Sequence, residues 1–192
     1  MPVVDTGDAG CRAFNNDVVA FLNQHRQFGS VILASSWRQP TEPAFTDANG
    51  RHVQGAEAEA AFSQALYKSL GRLRSTGVRT YVWDALPAMP GPVPQNMARN
   101  LAFGSYWSTT SSQETYDRTF RFLHTAFDRH ADLIAGRINA APALCTADMC
   151  RAEHRGRPVF EDNNHPAFVQ AAFFADIIAR EMASVPAPAP RR

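Results

Sequence analysis

The chain has no long apolar run, little net charge and few cysteines, and each shortage excludes a class of protein. Its 19 lysines and arginines nearly balance its 18 aspartates and glutamates, which leaves a formal net charge of +1. This balance gives no electrostatic reason to expect nucleic acid or an anionic membrane surface as a partner. No stretch approaches the roughly 20 apolar residues of a membrane span. The first residues also lack the basic start and apolar run of a signal peptide. We therefore expect no nucleic-acid partner and no export or membrane segment in this chain.

What the chain does have is enough apolar sequence for a core. It is 192 residues long and 45% hydrophobic, which suits one globular domain. We expect a single domain over residues 1–184. Residues 185–192 are rich in proline and alanine and predict an extended or disordered tail.

Helical and strand patterns alternate along the chain. Apolar spacing and capping residues predict helices from Asn15 or Asn16 to about 25, over 62–73 with Gly77 as the stop, over 95–103, over 116–127 behind a capping box of Ser111 and Glu114, and over 167–182. Short apolar runs predict strands over 30–34, 78–83, 133–138 and 158–160. This alternation is typical of an α/β sandwich with a mainly parallel sheet.

Two loops separate these elements. Residues 38–55 are polar, and Asn49-Gly50 is their clearest turn. The second loop follows Asp84 at the end of a predicted strand and holds four prolines between residues 87 and 94. Loops at the carboxyl ends of parallel strands commonly form binding sites, so we expect this one to line a pocket. Asp84 is a rival candidate for a catalytic acid, although no histidine is near it in sequence.

The most informative segment sets Asp162 three residues before His165, between a predicted strand and a predicted helix. Asn163 and Asn164 are natural turn and N-cap residues, and Pro166 suits the first position of a helix. A turn here can point Asp162 back at His165. The carboxylate then orients the imidazole, whose other nitrogen can take a proton from a serine hydroxyl. The alternative is an ordinary helix start, where aspartate is frequent.

The neighbours of this pair occur in a recognisable order. They are the segment Cys11 to Asn16, the aliphatic strand that ends in Ser35-Ser36-Trp37, the pair Cys145 and Cys150, Gly156, and the run from Val159 through Asp162 to His165. The ordered set resembles the SGNH-hydrolase-type domain at the carboxyl end of bacterial membrane acyltransferases of acyltransferase family 3, which O-acetylate cell-surface glycans. The resemblance spans most of residues 11–184.

The resemblance implies a three-layer SGNH-like α/β sandwich on the periplasmic face of a bacterial inner membrane. Its partners would be an acyl donor, a surface glycan and a transmembrane acyltransferase domain. Asp162 and His165 would be catalytic, while Ser36 and Trp37 are candidates for substrate binding. For Trp37 a place in the core is equally open, and for Ser35 and Ser36 the favoured alternative is that they are small residues at a strand end.

The nucleophile of that family is absent from its expected place. The family begins with Gly-Asp-Ser after its first strand, whereas this chain has only Gly7-Asp8-Ala9 just before Cys11. A strand-helix-strand unit takes about 30 residues or more, so we expect the chain to start after the first strand-helix unit. Ser35 or Ser36 is a less favoured substitute. The start of the helix after His165 also differs from the family's pattern, since Pro166-Ala167 replaces the family's Leu-Ser.

The cysteines bear on the compartment. Cys145 and Cys150 are spaced to close a small disulfide loop if the chain turns, which indicates an oxidising compartment. Cys11 is left over, and in the resembling family such a cysteine pairs further upstream. Three free thiols in a cytosolic protein are the alternative. A zinc site lacks ligands, since only His154 is near, so we expect no metal and no cofactor.

Two functions remain open. The first is part of an SGNH-type O-acyltransferase or esterase that transfers or removes acetyl groups on a cell-surface polysaccharide through a serine acyl-enzyme. The alternative is a degenerate SGNH-like domain that binds a glycan or a partner without catalysis.

Overall fold

Helices and short strands alternate in the computed structural model, which describes residues 9–25, 27–35, 37, 45–47, 49–104 and 107–184. The helices are α1 (Ala9–Gln24), α2 (Gly55–Thr76), α3 (Val93–Phe103), α4 (Gln113–Arg129), α5 (Ala141–Leu144) and α6 (Ala171–Ala183). The strands are β1 (Ser30–Leu33), β2 (Arg79–Trp83), β3 (Thr110–Ser112), β4 (Gly136–Ile138), β5 (Met149–Arg151), β6 (Glu153–His154) and β7 (Arg157–Pro158). Two 3₁₀ turns cover Ala131–Leu133 and Phe168–Gln170.

These residues group into two compact units. The first combines the described residues up to Trp83 with Thr119–Arg137, and the second combines Asp84–Arg118 with the described residues from Ile138 onward. The single domain expected over residues 1–184 stays a prediction. The tail at 185–192 and, of the loop predicted over 38–55, residues 38–44 and 48 lie outside the described residues.

The sheet of the first unit confirms the predicted α/β class. β1 and β2 run parallel, with Ser30 opposite Arg79 and Leu33 opposite Val82. The strand order is β1-β2-β4. β1 and β2 lie where their apolar runs predicted them. β4 is shorter than predicted because Ala131–Leu133, at the start of that apolar stretch, forms a 3₁₀ turn.

The core of the first unit is built largely from one face of α2. Phe62, Leu66 and Leu70 are almost completely buried. They recur at four-residue spacing, as an amphipathic helix requires. The helix ends at Gly77, whose φ of 84° is a left-handed conformation that favours glycine, as predicted.

Two predicted helix starts are wrong. α1 begins at Ala9, well before Asn15, and the side chain of Asn16 accepts a hydrogen bond from Arg72 Nη2 (2.6 Å) instead of capping a helix. α4 is capped by Ser112, whose Oγ accepts the Thr115 N–H at 3.1 Å, and not by Ser111, which lies in β3. At α4 a neighbouring serine therefore takes the capping role.

The second unit contains antiparallel pairs that the sequence did not predict. β3 pairs with β5, and β6 pairs with β7. The strand expected over 158–160 is reduced to β7 and a single bridge between Phe160 and Pro166. Strands of two or three residues are too short to show an alternating pattern, which is why sequence periodicity missed them.

Candidate active site

The segment that contains Asp162 and His165 is a closed turn. Glu161 N–H donates to His165 O (2.9 Å), and Ala167 N–H donates to Val159 O (2.8 Å). Pro166 therefore pairs across the turn and does not begin a helix, which corrects the prediction. The chain passes through Phe168–Gln170 before α6 starts at Ala171.

Asp162 organises the inside of this turn. Its Oδ1 accepts the N–H groups of Asn164 and His165, both at 2.8 Å. Asn163 and Asn164 lie in the turn as predicted, but their predicted capping role is wrong, because α6 starts only at Ala171. The N–H groups that Asp162 accepts form an Asx turn. Its Oδ2 lies 2.6 Å from His165 Nδ1. One carboxylate thus holds both the main chain and the side chain of the histidine.

These contacts keep Asp162 ionised. Partial burial raises the pKa of Asp162, but donation from the Asn164 and His165 N–H groups, together with the His165 imidazole, lowers it from 3.8 to about 2. At neutral pH the group facing the imidazole is therefore a carboxylate. A carboxylate can only accept, so a proton lies on Nδ1 and Nε2 is the basic nitrogen.

His165 is available to a substrate. Its side chain is 64% exposed, and Nε2 has no hydrogen-bond partner among the residues that the structure describes. A fixed tautomer, an oriented ring and an open Nε2 are what a general base needs. The structure therefore brings together the two residues that the sequence singled out.

The proline-rich loop supports the turn from its other side. Met89 N–H donates to Asn163 O (2.8 Å), and Val93 N–H, at the start of α3, donates to Asp162 O (2.9 Å). The sequence predicts that this loop lines a pocket, but it does not indicate these two donors. Main-chain groups leave no residue-type signal. Because proline has no N–H, this loop offers few main-chain donors, and this shortage was the signal that could have identified Met89 and Val93.

A family model described as the SGNH domain, fused to AT3 domains, matches residues 1–180. The chain belongs to this family. No curated protein matches the sequence.

A solved structure has a similar fold. It is the periplasmic domain of a lipopolysaccharide acetyltransferase from Salmonella ser. Paratyphi A, and it is similar with a TM-score of 0.60 at 14% sequence identity. The match covers 89% of this chain and 62% of that one. The chain therefore spans less than two thirds of that protein, and the likeness confirms the SGNH-like fold.

In this SGNH domain Gln170 holds the strands that lead into the turn. It is buried, and its Nε2 donates to His154 O (3.1 Å) and Arg157 O (3.3 Å) on β6 and β7. Val159 N–H, just before the turn, donates to Ala152 O (2.8 Å). Sequence analysis missed Gln170. A polar residue at the start of an otherwise apolar helix was the signal that could have identified it.

The disulfide expected between Cys145 and Cys150 is present in the SGNH domain. The two residues also form an antiparallel bridge, and Thr146 N–H donates to Met149 O (2.8 Å) to close the turn between them. The side chain of Cys11 is outside the described part of the structure. Its expected pairing stays a prediction.

Trp37 has a core position in the SGNH domain instead of the pocket position predicted as one possibility. The side chain is 1% exposed and packs edge-on against Phe62 and Phe127. Its indole N–H donates to Trp83 O (2.7 Å). An indole buried in this way presents no face to a ligand. Ser36, the other predicted binding residue, lies outside the described residues.

Asp84, the rival acid, is fully buried at the end of β2. Its Oδ1 accepts the N–H of Ala85 (2.9 Å). Within the described residues of the SGNH domain, no group of three or more His, Cys, Asp or Glu side chains is arranged to hold a metal ion. No helix of the described chain is long and apolar enough to cross a membrane.

Proposed function

We propose that the chain is the SGNH part of an O-acyltransferase or esterase that transfers or removes acetyl groups on a cell-surface polysaccharide. The observation that carries the proposal is the 2.6 Å contact between Asp162 Oδ2 and His165 Nδ1, with Nε2 exposed. Family membership and the fold shared with a lipopolysaccharide acetyltransferase domain favour acyl transfer on a glycan.

In the proposed reaction a serine hydroxyl gives its proton to His165 Nε2 as its oxygen attacks the acetyl carbonyl carbon. The tetrahedral intermediate collapses, the bond to the donor's alkoxy oxygen breaks, and Nε2 returns the proton to that oxygen. A glycan hydroxyl or water then loses its proton to Nε2 as its oxygen attacks the acyl-serine. The second tetrahedral intermediate collapses, the bond to the serine oxygen breaks, and Nε2 returns the proton to that oxygen, which releases the acetylated glycan or acetate. Asp162 stays ionised throughout and stabilises the imidazolium.

The serine is the component that the 192 residues do not supply in the family's form, since no Gly-Asp-Ser occurs in them. We place it in a Gly-Asp-Ser segment outside these residues. The acyl donor would reach it through a transmembrane AT3-type partner, and the reaction would occur on the periplasmic side.

The experiment compares acetate release from p-nitrophenyl acetate by the chain lengthened with its upstream coding region and by its His165→Ala variant. Loss of the base lowers the rate by about 10³-fold or more, the size typical of triad members. A His165→Ala variant that is as active as the parent would contradict the assignment of the base.

A degenerate, non-catalytic SGNH domain is the second candidate, and the absence of Gly-Asp-Ser from the 192 residues favours it. It predicts that a serine-directed fluorophosphonate labels neither this chain nor its lengthened form. Labelling of Ser35 or Ser36 would instead identify a nucleophile within the chain.

A further inference from the structure

The far end of α3 holds a short neighbouring segment by side-chain amides. Asn100 pairs with both main-chain groups of Trp107: its Nδ2 donates to Trp107 O (2.8 Å) and its Oδ1 accepts Trp107 N–H (3.0 Å). One turn earlier, the buried Asn96 donates from Nδ2 to Ser108 O (2.9 Å). The main chain at Trp107 is therefore fixed at a position set by the helix.

This anchoring presents a mixed aromatic and cationic surface. The Arg99 guanidinium lies over the Trp107 ring at 5.7 Å, and the Phe103 ring meets it edge-on at 6.3 Å. Phe103 is 70% exposed, and Trp107 is half-buried. We call Arg99, Phe103 and Trp107 the Trp107 platform. Partly exposed aromatic rings beside an arginine are typical of binding surfaces.

The Trp107 platform and the candidate active site are both hydrogen-bonded to α3. α3 begins at Val93, whose N–H is bonded to Asp162 O, and it ends at Phe103. Steps of about 1.5 Å per residue, six from Val93 to Arg99 and ten to Phe103, place the platform about 9 to 15 Å along the helix from the turn. A small acetyl ester at His165 does not extend that far, whereas a polymer does.

We propose that the Trp107 platform binds sugar rings of the glycan chain several units away from the ring that reacts at His165. The apolar C–H face of a pyranose stacks on an indole or phenyl ring, and its hydroxyls accept hydrogen bonds from a guanidinium. The inference rests on the proposed function, because it assumes that the substrate of the same site is a glycan polymer.

The composition of the Trp107 platform favours a glycan over other occupants. A stable protein interface buries about 800 Å² on each partner, far more than three side chains offer. A lipid surface prefers a continuous apolar face, whereas here the Arg99 guanidinium lies over one face of the indole.

Binding at a distance affects substrates according to their length. Contacts remote from the reacting bond are made only by long substrates. The Trp107 platform therefore lowers the KM for a polysaccharide and has no effect on p-nitrophenyl acetate.

The test measures binding by the full chain in affinity electrophoresis, in gels that contain dextran, polygalacturonate or the O-polysaccharide of Salmonella ser. Paratyphi A. The first is neutral and the second acidic, so the two separate ring stacking from charge pairing with Arg99. The variants are Trp107→Ala, Trp107→Phe, which keeps an aromatic face, and Leu101→Ala. Leu101 is 89% exposed and projects from another side of α3, which makes it the matched control. Melting temperatures establish that each variant is folded.

We expect Trp107→Ala to weaken the binding of at least one polysaccharide about tenfold, with Trp107→Phe near wild type and Leu101→Ala unchanged. Wild-type protein that binds none of the three, or equal binding by Trp107→Ala, overturns the inference. Binding to phosphatidylglycerol vesicles that depends on Trp107, without glycan binding, also overturns it. In the lengthened chain the His165→Ala variant separates the two proposals, because it removes ester hydrolysis but leaves retention in the gel unchanged.

Discussion

Two aspartates of this chain build nearly the same turn for different purposes. Asp47, in the first unit, accepts the N–H groups of Asn49 (2.9 Å) and Arg51 (3.0 Å) on Oδ1. Its Oδ2 faces the Arg51 guanidinium at 3.4 Å. Asp162, in the second unit, repeats this pattern with Asn164 and with His165.

The difference lies in the final partner. An arginine stays charged and gives up no proton, so the Asp47 turn can only be structural. A histidine exchanges protons near neutral pH and keeps a second nitrogen for another molecule. The pKa is lowered in both aspartates. In Asp47 the main cause is donation from the Arg51 N–H, whereas in Asp162 partial burial raises the pKa and donation from the Asn164 and His165 N–H groups lowers it. A lowered carboxyl pKa is therefore common to both turns, and the catalytic role proposed for Asp162 rests on its histidine partner.

Removing the charge from each aspartate gives the largest contrast. Asp162→Asn leaves the turn's shape but can stabilise the wrong imidazole tautomer, so we expect acetyl ester hydrolysis by the lengthened chain to fall about 10²- to 10⁴-fold. Asp47→Asn is the matched control and leaves hydrolysis unchanged. Nitrogen NMR of His165 in the 192-residue chain reads the tautomer directly. An unchanged Nδ1–H signal in Asp162→Asn would contradict the orienting role.

Loss of the hydrogen bond from Val93 N–H to Asp162 O should have a smaller effect on hydrolysis. Val93→Pro removes the N–H that donates to Asp162 O, and proline is tolerated at the first position of a helix. Val93 is also buried, so Val93→Ala controls for the lost side chain. We expect Val93→Pro to hydrolyse p-nitrophenyl acetate about tenfold more slowly than Val93→Ala, because the base is less well positioned. Equal rates would mean that the other hydrogen bonds suffice.

The dependence of stability on pH is the smallest and most general effect. Because the pKa of Asp162 is lowered to about 2, its contribution to the free energy of unfolding is complete above about pH 4 and is lost as the pH falls toward 2. The stability difference between wild type and Asp162→Asn should therefore shrink over that range, as measured by urea unfolding. Asp47→Asn should behave in the same direction. A difference independent of pH would show that the carboxylate is not stabilised in the folded state.

The longer elements and the pairing of Asp162 with His165 could be predicted from sequence. α2 and α4 repeat apolar residues over several turns, and β1 and β2 are apolar runs. The three-residue spacing of Asp162 and His165 is local, so the turn alone brings them together. Local patterns of this kind survive in the fold because no distant contact is required for them.

Features set by tertiary contacts were not predictable. Asn163, Asn164 and Pro166 favour a helix start, yet Asp162 takes the open N–H groups and Pro166 pairs across the turn with Phe160. Trp37 has an amphipathic side chain suited to a pocket, but its indole N–H donates to Trp83 O, 46 residues away. The donors Met89 and Val93 act through the main chain, which carries no residue-type signal.

The bond between Cys145 and Cys150 has a practical consequence for producing this protein. It closes a ring of about six residues, and ring closure of that size is worth about 2 kcal/mol by restriction of the unfolded chain. Ala152, two residues beyond Cys150, holds Val159 at the entry to the Asp162 turn. Glutathione keeps thiols reduced in the cytosol. Material made there lacks this crosslink, so an oxidising expression host is the appropriate source for binding and activity measurements.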